Sequence, residues 1–219
     1  MKDTFYTIAN PSEGEFKDRG SKFIAYAYPT DNAESIQEKL AAIKKEHFKA
    51  RHHCYAYRLG LDRNNFRAND DGEPSGTAGK PILGQIDRLE LTNVLVVVVR
   101  YFGGTKLGTS GLINAYKTAT ATALEKAAIV EKTVKALFEI KFDYALMSDV
   151  MNAIKRGDFE VVKQEFTSDA VIVVAIPLSE VEQKITQFKA HVAKCNVAET
   201  EKLESIEGLV VDEVFTRNG

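Results

Sequence analysis

Residues 94–116 read VLVVVVRYFGGTKLGTSGLINAY. Val94–Val99 is an unbroken apolar run, as in a strand buried on both faces. Gly103, Gly104, Gly108 and Gly111 then punctuate a loop. Leu112, Tyr116, Ala119, Ala123 and Ala127 recur at helical spacing across Leu112–Lys126. A strand covered on both sides and followed by a long amphipathic helix requires layered α and β structure.

Upstream, residues 5–8 and 22–28 read as strands, helped by Phe23 and its neighbouring tyrosines. A helix is predicted from Asp31, with Glu34 completing a capping box and Ile36, Leu40, Ile43 and His47 on its inner face. His52–Leu59 reads as a strand, and 61–76, rich in Asp, Asn and Gly, as a loop. A short helix follows at 78–88, weakened by Gly84.

Downstream, Val130–Ile140 opens a strand region, and a strand is expected at 136–142. A helix at 145–156 turns Met147, Val150, Met151 and Ile154 inward and ends at Gly157 in a left-handed cap. Strands are expected at 159–166 and 170–176. A helix capped by Ser179 and Glu182 carries a Val181, Ile185, Phe188, Val192 stripe, and a last strand lies near 197–203. This β-α-β-β-α-β order is the split ferredoxin-like pattern. The predicted class is α+β, with domains at 1–131 and 132–204 and a tail at 205–219.

The 219 residues are 44% hydrophobic and 27% charged, which excludes a wholly disordered chain. The apolar runs Val94–Val99 and Ala170–Ile176 fall far short of the ~20 residues a membrane helix needs. The opening MKDTFYTIANPSEGEF has no apolar core of a secretory leader. Cys54 and Cys195 are the only cysteines, which excludes a disulfide framework and paired CxxC zinc sites. A cytoplasmic protein without a membrane partner is expected. Residues 1–131 carry 18 Lys and Arg against 16 Asp and Glu, and the remainder 11 against 15. The formal net charge of −2 lacks the bulk signature of a nucleic-acid binder, so any basic surface must be local.

Three segments carry candidate chemistry. In RHHCYAYRLG (51–60), Cys54 beside His53 suggests a thiol nucleophile, although strand alternation sends the two to opposite faces. In NDDGEPSGTAGKPI (69–82), Asp70, Asp71 and Glu73 are the residue types that hold magnesium, or else they brace a solvated turn. Neither an EF-hand nor a phosphate-loop register fits. In RYFGGTKLGTSGLINAY (100–116), the glycines admit close backbone approach. Amides at the helix start would face an anion, Arg100 and Lys106 add charge, and Tyr101 or Phe102 offers a stacking surface. The alternative is a tight strand-to-helix turn with the aromatics in the core. Lys44, Lys45, Lys49, Arg51, Arg58, Arg63 and Arg67 form a basic stretch against only two acids over 44–67. Beside the glycine loop it would track phosphates.

The three segments, in this order, resemble the YigZ/IMPACT family over about residues 15–125, and the tail half resembles the second domain of bacterial YigZ-type members. The resemblance implies an N-terminal β-α-β domain similar to ribosomal and RNA-associated proteins. It implies a C-terminal domain similar to one in elongation factor G. Eukaryotic IMPACT proteins regulate translation during amino-acid starvation. Asp70, Asp71, Gly72, Glu73, Pro74, Gly76 and Gly79 match one family motif, and His53 falls in a family-like position. Arg100, Tyr101, Gly103, Gly104, Lys106, Leu107, Gly108 and Gly111 match the other. Asn114 departs from it, where relatives often carry arginine.

The expectation is a non-enzymatic RNA- or ribosome-binding module in translation regulation. Its phosphate surface would comprise Arg58, Arg100, Tyr101, Gly103, Gly104, Lys106, Gly108 and Gly111, with no cofactor. The alternatives are an adaptor for a protein of the translation machinery, and a magnesium-dependent enzyme acting on a phosphorylated substrate. In that enzyme Asp70, Asp71 and Glu73 would be the metal ligands.

Overall fold

The structure is a computed structural model that describes residues 3–200 and 205–218. It divides into two compact units, Phe5–Lys132 on one side and Thr133–Gly219 with Met1–Thr4 on the other.

The first unit begins in strand β1 (Thr4–Ile8) and continues with β2 (Ser12–Asp18), β3 (Ser21–Pro29), helix α1 (Ala33–Glu46) and β4 (His52–Leu59). It is completed by β5 (Asn65–Asn69), α2 (Gly79–Arg88), β6 (Val94–Tyr101) and α3 (Gly108–Glu125). The sheet order is β2-β3-β6-β4-β5, and every pairing is antiparallel. β3 and β4 therefore run parallel, joined by α1, with β6 inserted between them.

The valine run of β6 is central and covered on both sides. Val94, Val96 and Val98 pack with Ile82 and Ile86 of α2 and Leu112, Ala115 and Tyr116 of α3. Leu95, Val97 and Val99 pack with Ile36, Leu40 and Ile43 of α1. All six β6 residues are 0% exposed, and burial stabilises the fold by ~1.5–3 kcal/mol for each such side chain.

Two strands escaped the sequence reading. β2 turns only Gly14 and Phe16 to the core among charged neighbours, and β5 (NFRAN) is exposed except at Asn69, which is half-buried, so neither shows a continuous apolar face. The cap of α1 is Asn32, not Asp31. Asn32 Oδ1 accepts from Ser35 N at 2.8 Å, and Asp31 accepts instead from the Asn32 amide. α2 crosses Gly84 unbroken, and α3 starts at Gly108, earlier than the expected Leu112.

The second unit holds most of β7 (Ile129–Phe142), α4 (Met147–Arg156), β8 (Glu160–Phe166), β9 (Ala170–Pro177), α5 (Val181–Val192), the short α6 (Val197–Thr200) and β10 (Leu209–Asn218). β10 pairs β7, β7 pairs β9 and β9 pairs β8, all antiparallel. Val150, Ala153, Ile154, Phe188 and Val192 of α4 and α5 close one core against Ala136, Phe138, Ile140, Ile172 and Val174.

Four details differ from expectation. The final strand is Leu209–Asn218. Residues 197–200 are helical, and 201–203 lie outside the described residues. Gly157 has φ −80, and Asp158 takes the left-handed turn at φ 47. Gly157 is small because a Cβ there would sit 2.3 Å from the Phe159 ring. Ser179 does not cap α5: its amide and hydroxyl both donate to Asp3, which lowers the Asp3 carboxyl pKa. Met151 stays 37% exposed, and Ala153 takes the inward place. No helix among the described residues is long and apolar enough to cross a membrane.

Candidate functional site

Strand register brings the candidate segments to one end of the first unit's sheet. Tyr101, the last residue of β6, pairs with Lys22 near the start of β3. Arg100 pairs with His52 at the start of β4, and β5 ends at Asn69 beside Tyr55. The C-terminus of α1 reaches the same end, because His47 Nδ1 lies 2.9 Å from the Tyr101 hydroxyl and Nε2 lies 2.7 Å from that of Tyr26. Burial pushes the Tyr26 hydroxyl up to about 12, so it stays protonated beside the imidazole.

The acidic loop is a brace. Asp70 accepts from the amides of Gly76 (2.8 Å), Ala78 (2.9 Å) and Gly79 (2.8 Å). Burial alone would raise its pKa, but the three amides more than offset that, and the carboxyl ends below its ordinary range. Its charge also sits at the N-terminus of α2, complementing the helix dipole. Asp71 is left-handed at φ 41 and accepts from the His53 amide at 2.6 Å, and its carbonyl lies 2.8 Å from His52 Nδ1. Gly72 and Pro74 are exposed at the loop tip, and Gly76 has φ 77. Gly79 packs so closely that a Cβ would lie 2.4 Å from the Asn69 amide nitrogen.

Glu73 turns inward. Its Oε1 accepts from Arg100 Nη1 at 2.6 Å and from the Tyr116 hydroxyl at 2.8 Å. The Arg100 and Glu73 side chains are only 7% and 3% exposed. The three carboxylates thus serve separate partners, and no group of three or more His, Cys, Asp or Glu among the described residues is placed to hold a metal. This corrects the magnesium reading of Asp70, Asp71 and Glu73.

The thiol-nucleophile reading is also corrected. Cys54 is fully buried, with its sulfur 3.0 Å from the Asp70 carbonyl and 3.3 Å from the Tyr116 hydroxyl. Burial pushes that thiol well up, away from the reactive thiolate. His53 lies on the other face, with Nε2 3.2 Å from the His47 carbonyl, and burial lowers its pKa.

The glycine loop is fastened to the β2–β3 turn. Gly103 N donates to Ser21 Oγ at 3.1 Å, and a Cβ at Gly103 would lie 1.9 Å from the Gly20 carbonyl carbon. Gly104 and Gly108 have positive φ, and Gly111 sits in the first turn of α3. Lys106 is exposed. Arg100 and Arg58 do not join it as phosphate ligands. Arg100 is held by Glu73. Arg58 sits opposite Val94, at the far end of β4 by roughly 20 Å, and pairs with Asp87 at 2.7 Å. Tyr101 is half-buried and committed to His47.

The structure supplies other groups in their place. Phe48 is 74% exposed and Phe102 54% exposed. Arg19, Lys44, Lys45, Lys49, Arg51 and Lys106 are exposed as well and form no ion pair among the described residues. Phe48 was visible as an aromatic inside the basic stretch, off the inner stripe of α1. Arg19 gave no signal, since only the turn packing of Gly20 on Gly103 brings it here.

The Impact N-terminal domain matches residues 19–124, which contain this whole end of the sheet. The IMPACT family member YvyE of Bacillus subtilis is 35% identical over 159 residues, covering 73% of each chain. The chain belongs to the IMPACT family. YigZ of Escherichia coli, another member, is 32% identical over 175 residues, covering 79% of this chain and 84% of its own. A crystal structure of a hypothetical protein matches the fold with a TM-score of 0.68 at 27% identity, over 98% of this chain and 99% of that one. The two strings that carried the IMPACT resemblance meet physically in the Glu73–Arg100–Tyr116 contact.

Proposed function

We propose that this IMPACT-family protein binds RNA, free or within the ribosome, and acts in translation regulation without catalysis. Family membership fits a role in translation. The observation that carries RNA binding is the group of unpaired cations, Arg19, Lys44, Lys45, Lys49, Arg51 and Lys106, at one end of the sheet. Exposed cations that form no ion pair suit a polyanion, whose condensed counterions are released on binding. In this reading residues 1–131 are the RNA-binding domain, akin to ribosomal-protein folds. Residues 132–204, akin to a domain of elongation factor G, with the tail 205–219, address the translation machinery from the cytoplasm.

The test is ribosome co-sedimentation and fluorescence anisotropy with labelled RNA at two salt concentrations. Binding should weaken steeply with salt, by ~0.7 log units per decade of salt for each phosphate contacted on a single strand. The double variant Lys49→Glu/Lys106→Glu should lose most of its affinity, at least about tenfold. Unchanged affinity in that variant would overturn the reading.

A further inference from the structure

Phe102 is not a loose surface aromatic. The Arg100 guanidinium lies 5.5 Å from its ring centroid, within cation–π range, and also 5.4 Å from the buried ring of Phe23. Arg100 is in turn fixed by Glu73, and Glu73 by the fully buried Tyr116. The Phe102 ring is thereby backed on one side by an anchored cation while more than half its surface faces solvent. Phe48 is 74% exposed, and the exposed Lys49 stands beside it with Nζ 5.7 Å from its ring centroid. Both rings stand at the same end of the sheet, since Phe48 follows His47 and Phe102 follows Tyr101, and those two side chains hydrogen-bond.

A duplex would offer this end of the sheet phosphates, sugars and groove edges, but its base faces are stacked away. A single strand also offers unpaired base faces, and those are what exposed phenyl rings, Phe102 among them held against Arg100, would cover. We infer that Phe102 and Phe48 are stacking platforms for the bases of single-stranded RNA, with Lys44, Lys49, Arg51 and Lys106 on its phosphates. Arg100 is a positioning residue for Phe102, which gives the buried Glu73–Arg100 pair a purpose at the surface. This rests on the RNA-binding reading above and names its substrate class.

The test uses the full chain and three probes of equal length, about 12 nucleotides: a single-stranded RNA, the same RNA as a duplex, and a single strand of abasic sugar-phosphate. Wild type should bind the single strand at least several-fold more tightly than the other two. Phe102→Ala and Phe48→Ala should each weaken single-strand binding by about 5- to 100-fold, the range for loss of one stacked base. Abasic and duplex binding should not move. Phe102→Tyr should retain the single-strand affinity and Phe102→Leu should not, which separates ring stacking from apolar area. An unchanged thermal midpoint in these surface variants shows they remain folded.

If the alanine variants bind all three probes as wild type does while Lys49→Glu/Lys106→Glu binds none, the stacking inference is overturned and RNA binding through phosphates stands. If wild type binds no probe, both fall.

Discussion

Glu73 and Arg100 form a buried ion pair in which neither charge has water to fall back on. Removing one partner strands the other, at a cost of about 3–5 kcal/mol, whereas replacing both with apolar residues of similar volume is far less damaging. Glu73→Ala and Arg100→Ala should each depress the denaturant midpoint sharply, and Glu73→Leu/Arg100→Met should recover much of the loss. Additive losses in that cycle would show that the pair is not coupled. Asp70→Ala should leave the amides of Gly76, Ala78 and Gly79 without their acceptor and cost roughly 2–3 kcal/mol, read by thermal or chemical denaturation.

His53 gives a pH signature. Burial lowers its folded pKa below the ordinary 6.5, although Asp71 beside it pulls the other way. The unfolded chain therefore binds more protons as pH falls through 6.5, and stability drops on acidification below that value. His53→Gln should flatten this part of the stability profile between pH 7.5 and pH 5.5. At this scale the sequence was legible in residue type but not in role. Asp70, Asp71 and Glu73 stood out as carboxylates, yet only the folded loop shows that backbone amides claim two of them and Arg100 the third. Arg100 read as a surface cation because its partner lies 27 positions away.

Elements were legible wherever burial leaves a periodic trace. The β6 run and the inner stripe of α1 announced themselves because the core dictates them. β2 and β5 left too short a trace, because β2 turns only Gly14 and Phe16 to the core and β5 is exposed along most of its length. The helix starts were misread for a related reason: Asp31 and Asn32 are both competent caps, and only backbone geometry selects Asn32. At Gly103 the constraint is backbone against backbone. Gly103→Ala should break the fastening of the glycine loop to the β2–β3 turn, lowering stability by more than 1 kcal/mol and raising hydrogen exchange at residues 20–22 and 102–107. A protection pattern identical to wild type would show that the loop is not held there. Deleting residues from Leu209 onward should destabilise the second unit, since β10 covers one side of β7 and Leu209 belongs to its core.

On the scale of the molecule, the candidate site belongs to one end of one sheet. Arg58→Glu, at the opposite end and paired with Asp87, should leave RNA affinity within about twofold of wild type, whereas Lys106→Glu should not. Equal losses would mean that net charge, rather than this surface, governs binding. Residues from five separated stretches build that end, which is why spacing alone could assign the charge of each and not their meeting point.

Asp3 accepts two hydrogen bonds from Ser179, 176 positions along the chain, and its carbonyl accepts from Val134 N. A ribosome releases Asp3 long before Ser179 emerges. The unit spanning Phe5–Lys132 has all its strands available well before that moment, and domains generally fold as they emerge. Asp3 therefore lacks Val134 and Ser179 while that unit folds. Asp3 settles only when the later unit arrives to receive it, long after the chain around it has been made.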